Sequence, residues 1–149
     1  MAGETTAPAV DLSGKWQLDR NENFDEFLKA AGFAWITRKL INSVTTVLEI
    51  GQDGDRFTIS TNTPVGVRVT SFTLGRAYPE TNPMFGDGEH RVLAEWEGAK
   101  LVQRVVPDTA SIGDVDEVPR TFEREIVNGE LVVTIRRGDV ATKRYFKKL

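Results

Sequence analysis

Thr121-Phe122-Glu123-Arg124-Glu125-Ile126-Val127-Asn128-Gly129-Glu130-Leu131-Val132-Val133-Thr134-Ile135-Arg136 is the stretch on which the fold turns. Asn128-Gly129 is the strongest short-range hairpin signal, because both residues accept the positive φ that a two-residue turn demands. It separates two β-prone runs, residues 121–127 and 131–136. Successive side chains of a strand point to opposite faces, so Phe122, Arg124 and Ile126 share one face and Glu123 and Glu125 the other. The aromatic and aliphatic face belongs inside, and Arg124 goes with it. A guanidinium in an apolar interior needs a carboxylate, ordered water or an anionic ligand. An internal ion pair would satisfy it as well as a ligand would.

Outward from this hairpin the strand pattern continues in both directions. Towards the carboxyl end, Gly138-Asp139 turns the chain into a last strand over 140–147. Ala141, Lys143 and Tyr145 share one of its faces, and Thr142, Arg144 and Phe146 the other. Alternation alone does not choose between them, and either choice turns a cation inward. Towards the amino end, strands are predicted at 13–19, 46–50, 57–61, 67–74, near Ala77, 91–96 and 100–106, with Trp16 and Leu18 on one face of the first. Gln52-Asp53-Gly54-Asp55, Gly86-Asp87-Gly88 and Glu97-Gly98 supply turns. The count is ten strands joined mostly by hairpins. An up-and-down antiparallel β-barrel accommodates such a series and removes the exposed edges of an open sheet.

One stretch breaks the β pattern. Asn23 as N-cap with Glu26 three residues on approximates a capping box, and Phe24, Phe27, Leu28 and Ala31 follow helical spacing. After Gly32 a second short helix runs through Trp35, Ile36, Lys39, Leu40 and Ser43. Two helices this short must pack on something larger, which makes them a helix–turn–helix lid on the barrel. Residues 1–11 read as a disordered tail and 12–149 as a single barrel domain. The connection from Pro107 to Pro119, with Asp108, Asp114, Asp116 and Glu117, reads as a long exposed acidic loop.

Composition narrows the function classes. The 149 residues suit one domain, and a formal net charge of −3 lacks the basic balance of a nucleic-acid binder. With no cysteine there is no disulfide, thiolate metal site or cysteine nucleophile. No apolar run is long enough for a membrane-crossing helix. The first ten residues lack the basic start and apolar run of a signal peptide, so the expectation is cytoplasmic, or secreted if a leader has been removed. His90 stands alone beside a turn, and no Ser/His/Asp set, metal cluster or phosphate loop appears. The expectation is a non-enzyme without cofactor or metal, working as a monomer.

The residues resemble the intracellular lipid-binding proteins, the fatty-acid-binding protein family. Gly14-Lys15-Trp16 is similar to that family's opening strand, and Glu22-Asn23-Phe24-Asp25-Glu26-Phe27-Leu28 to its first helix. Thr37-Arg38-Lys39 resembles a tripeptide of the second helix, Phe72-Thr73-Leu74-Gly75 a strand end, and Arg124-Glu125-Ile126-Val127-Asn128-Gly129-Glu130-Leu131 the late hairpin. The likeness covers residues 12–148. It implies a ten-stranded barrel with two capping helices and a lipid cavity, in which two arginines and a tyrosine hold a ligand carboxylate. Arg124 aligns with the first arginine, Lys143 with the second and Tyr145 with the tyrosine. Lysine there keeps the charge but loses the planar fork that grips a carboxylate twice. The implied tail and portal contacts are Phe24, Leu28, Trp35, Ile36, Phe57, Val65, Phe72 and Phe122, although core packing accounts for each singly. Arg38 and Lys39 on the lid offer transient contact with an anionic membrane surface, or simply a solvated helix face. The implied function is binding and transport of fatty acids or similar hydrophobic carboxylates. A second likeness, of Gly138 to Lys148 to the end of the tardigrade secretory abundant heat-soluble proteins, implies a desiccation protectant on the same barrel.

Overall fold

A computed structural model describes residues 10–64, 66–86, 88–107 and 119–149. Val65 and most of the acidic 107–119 connection therefore lie outside the described residues. The chain order is β1 (Gly14–Glu22), α1 (Phe24–Ala30), α2 (Trp35–Ser43), β2 (Val47–Asp53), β3 (Arg56–Thr63), β4 (Gly66–Thr73) and β5 (Tyr78–Glu80). It continues with a 3₁₀ turn (Pro83–Phe85), β6 (His90–Glu97), β7 (Lys100–Val105), β8 (Arg120–Val127), β9 (Glu130–Arg137) and β10 (Val140–Lys148). All ten strands form one antiparallel sheet in the order β4-β3-β2-β1-β10-β9-β8-β7-β6-β5, with two helices inserted between β1 and β2. The expected ten-stranded barrel with a helical cap is the observed fold.

The deciding hairpin forms as its sequence dictates. Asn128 (φ 51°) and Gly129 (φ 80°) both take left-handed backbone, the signature of a tight hairpin turn. The turn sets the β8–β9 register, pairing Arg124 with Val133 and Phe122 with Ile135. On the next strand Val133 faces Arg144, so Arg124, Val133 and Arg144 form one row on the inner face.

The helix start differs from the predicted capping box. Asn23 adopts a left-handed conformation (φ 59°) and makes no side-chain cap; its Nδ2 donates instead to the Ala141 carbonyl oxygen at 2.9 Å. The residue ties the entry of α1 to β10 rather than capping the helix. Leu12 is fully buried, its N–H donating to Gln52 Oε1 at 2.8 Å and its carbonyl accepting from Trp16 Nε1 at 3.0 Å. The carbonyl of Val10 accepts from Gln52 Nε2, so the chain is already anchored ahead of β1.

The barrel is nearly closed. β4 and β5 end the hydrogen-bonded order, and side chains span the seam between them. Phe72 stacks on Tyr78 with ring centroids 5.2 Å apart, and Glu80 accepts from Thr70 Oγ1 and from Arg68 Nη1, the latter at 3.1 Å. Arg68 also donates to the Thr81 carbonyl oxygen at 2.9 Å. Glu80 is buried, so it is an acceptor with no water to replace it. Glu80→Leu is expected to lower stability by about 2 kcal/mol, because it strands Arg68 and Thr70. An unchanged midpoint in urea unfolding would mean that the aromatic pair alone holds the seam.

Packing divides the barrel into two ends. Phe57 stacks on Phe72 (5.5 Å) and meets Trp96 edge-on (6.1 Å), which extends the aromatic run from Tyr78 across the sheet. That end is solid. The opposite end, under α2, is hollow.

Candidate functional site

The hollow end holds a cavity of about 240 Å³. Leu40, Ile41 and Val44 bound it at α2 and just beyond, and Asn82, Pro83 and Met84 bound it on the β5–β6 connection. Its walls are the inward residues Leu48, Phe122, Val133, Ile135 and Phe146, with Thr46, Thr61 and Thr63 adding hydroxyls. Three guanidinium groups, of Arg68, Arg124 and Arg144, reach this lining.

Arg124 is buried. Its Nη1 donates to Gln103 Oε1, its Nε is buried without a hydrogen-bond partner, and its guanidinium carbon lies 5.4 Å from the Phe122 ring centroid. Burial pulls the group down to about 10, against a weaker upward pull from Tyr78 and Glu80, so it stays charged at neutral pH. Arg144 presents the same chemistry from β10. It stacks 4.2 Å from the Phe24 ring centroid, and its Nε donates to Asn21 Oδ1 at 2.9 Å. Burial alone draws it down to about 10. Its hydrogen-bond acceptors, Asn21 and Thr46, are neutral. Arg68 differs, because Glu80 already neutralises it. Two positive charges therefore face a largely apolar cavity with amide and hydroxyl partners only. Such a site attracts one anionic group.

Of the expected head-group set, Arg124 faces the cavity, while Lys143 and Tyr145 lie on the other face of β10. Lys143 is exposed and lies on the outer face. Tyr145 is on that face too: its hydroxyl donates to Glu22 Oε1 at 2.6 Å, and the Arg20 guanidinium covers its ring at 4.0 Å. The bond to Glu22 holds its hydroxyl above the ordinary tyrosine range. Arg144 occupies the inner position, and Phe146, two residues on, brings a ring without a hydroxyl. A signal for this was present in the sequence. Lys147 shares the parity of Lys143 and Tyr145, whereas Phe146 shares that of Arg144, so the second face is the better one to bury.

The expected tail and portal residues are spread over the barrel and its cap. Phe122 lines the cavity. Phe57 and Phe72 are core residues of the aromatic run, outside the lining of this cavity, and Leu28 and Phe24 pack in the core from α1, where Phe24 supports Arg144. Trp35 and Ile36 point outward, 59% and 71% exposed, Leu40 is half exposed while touching the cavity, and Ile41 is the residue of α2 that packs on the core. Val65 is not among the described residues. Arg38 is engaged by Asp25 at 3.3 Å and by the Phe33 carbonyl oxygen, while Lys39 lies 4.9 Å over the Trp35 ring. His90 opens β6 and is not part of the cavity lining.

A ten-stranded barrel with a two-helix cap and a cationic apolar cavity defines the lipid-binding β-barrels. The chain belongs to the lipocalin/cytosolic fatty-acid binding protein family, whose model matches residues 13–141, and this is a family of binding proteins rather than enzymes. It is 34% identical over 140 residues to human cellular retinoic acid-binding protein 1, covering 91% of this chain and 96% of that protein. It is 32% identical over 142 residues to sodium/calcium exchanger regulatory protein 1 of Doryteuthis pealeii, covering 95% and 98%. Among solved structures, the REP1-NXSQ fatty acid transporter superposes with a TM-score of 0.79 at 28% identity, covering 93% of this chain and 96% of that one. The fatty acid-binding protein of Drosophila melanogaster brain tissue gives 0.75 at 30% identity, covering 92% and 99%.

Proposed function

We propose that this protein binds and carries one fatty acid, or a hydrophobic carboxylate of similar slenderness, with its acidic group on Arg124 and Arg144. The observation that carries the reading is the pair of inward guanidinium groups with neutral partners in an apolar cavity. A cavity of about 240 Å³ lies below the usual range of roughly 300–1,000 Å³, so it suits one slender chain rather than a bulky ligand. Burial of the tail supplies most of the affinity, at about 0.8 kcal/mol per methylene before ordering costs, and the arginines select acid over neutral lipid. The relatives named for fatty acids and retinoic acid support a carboxylate ligand.

Entry is read as a movement of α2, which forms one wall of the cavity with Leu40 and Ile41. Its outer face shows Trp35, Ile36 and the Lys39 ammonium, which suits brief contact with an anionic membrane surface during transfer. The family's description supports a cytosolic setting.

The test is native mass spectrometry of delipidated protein offered palmitic acid or hexadecanol. The expected result is a one-to-one adduct with the acid that survives conditions stripping the alcohol. Equal retention of both, or of neither, would overturn the reading.

A further inference from the structure

Resting on that reading, we infer that Gln103, held by Tyr78, is the positioning residue that keeps the charge of Arg124 available to an acidic ligand. Gln103 is almost completely buried on β7, paired with Phe122 across the β7–β8 ladder and therefore diagonal to Arg124 on the same inner face. Its Oε1 accepts from Arg124 Nη1, and its Nε2 donates to the Tyr78 hydroxyl at 2.5 Å. The two bonds use opposite ends of one amide. Tyr78 is itself fixed by stacking on Phe72 across the seam, so the amide is clamped with its oxygen towards the guanidinium. A reversed amide would set N–H groups against the cation.

The chemistry of that position is specific. A buried arginine must have an acceptor, and a carboxylate would be the strongest one. A carboxylate in hydrogen-bonding contact would also cancel the charge and leave the ligand no reason to bind as an anion. The amide satisfies one N–H group with a dipole only. Arg124 Nε remains buried without a partner, which leaves donor capacity on the group for an incoming oxygen. The nearby carboxylate that could compete, Glu80, is held at the seam by Arg68, Thr70 and Thr81. Gln103 thus acts as a neutral stand-in for the ligand's acidic group in the empty cavity.

Gln103→Glu places a carboxylate where the amide was. It is expected to weaken palmitic acid at least tenfold while hexadecanol binds as in the unaltered protein. Gln103→Leu removes the acceptor that orients the guanidinium, and is expected to weaken the acid several-fold, again with little change for the alcohol. Tyr78→Phe releases the amide and should erode the acid-over-alcohol ratio by a few-fold. Titration calorimetry on delipidated protein reads all three, and the ratio is a quantity that a merely structural role would not move. Unchanged acid affinity in Gln103→Glu, or an acid-over-alcohol ratio unmoved by Gln103→Leu, would overturn the inference. If Gln103→Glu also loses the alcohol and so reads as misfolded, the Gln103→Leu result decides alone. A wild-type protein without preference for acid over alcohol would instead refute the underlying reading of the cavity.

Discussion

Replacing Arg124 and Arg144 together by leucine is expected to weaken binding of palmitic acid about 100-fold or more while leaving hexadecanol nearly unchanged, because two charge-assisted contacts disappear. The same double variant is expected to make the ligand-free protein more stable by about 1–4 kcal/mol, as when buried ionic groups are replaced by apolar residues of similar size. The two effects have one origin. Each guanidinium is desolvated, each is drawn down to about 10 by burial, and each has neutral acceptors rather than a carboxylate in hydrogen-bonding contact. The empty barrel therefore carries an electrostatic cost that an acidic ligand relieves. Leucine removes both the cost and the reason for acid preference, a trade between stability and function expected of a strained site. Calorimetry for binding and urea unfolding for stability measure the two arms. Lys143→Leu is the control, since its ammonium is in solvent on the outer face, and it should alter neither quantity measurably. A loss of acid affinity from Lys143→Leu equal to that from the arginines would restore the alignment-based assignment over the geometric one.

That contrast shows where sequence reasoning reached its limit. Ten strands, their turns and both helices are local signals: period-two alternation, Asn-Gly and Gly-Asp turns, and helical spacing confined to residues 23–43. Arg124 was legible for the same reason, since Phe122 and Ile126 flank it on one face of its strand. The faces of β10 were legible by the same parity, Phe146 sharing the face of Arg144 and Lys147 that of Lys143 and Tyr145, but a motif matched by similarity carries no information on which face is buried. Trp35 and Ile36 illustrate a second limit. The amphipathic spacing of α2 is clear, but which side of a short lid helix faces the cavity depends on how it docks, and it docks through Ile41. The Gln103–Tyr78 clamp and the Glu80 seam join residues distant in sequence, with no local pattern to announce them. Closure of the sheet brings Glu80 to Arg68 and Thr70, and pairing of β5, β6 and β7 brings Tyr78 to Gln103.

The separation of the aromatic run from the cationic cavity leads to the other large effect. Phe57→Ala is expected to destabilise the protein by about 3–5 kcal/mol, the usual cost of deleting a fully buried aromatic ring. Phe57 is 1% exposed and sits between Phe72 and Trp96, so its loss opens a void that neither neighbour can fill without leaving its own contacts. The void also reaches the seam, because Phe72 is the ring on which Tyr78 stacks. Yet Phe57 does not line the cavity, and none of the hydrogen bonds of Arg124 or Arg144 passes through it. Where the variant remains folded, its acid-over-alcohol ratio should stay within about twofold of the original, since mutations at separate sites act nearly independently. Urea unfolding gives the first quantity, and calorimetry well below the unfolding midpoint gives the second. A collapse of acid preference in parallel with stability would mean that the aromatic end sets the orientation of Arg124 through Tyr78 and Gln103 more rigidly than two separate ends allow.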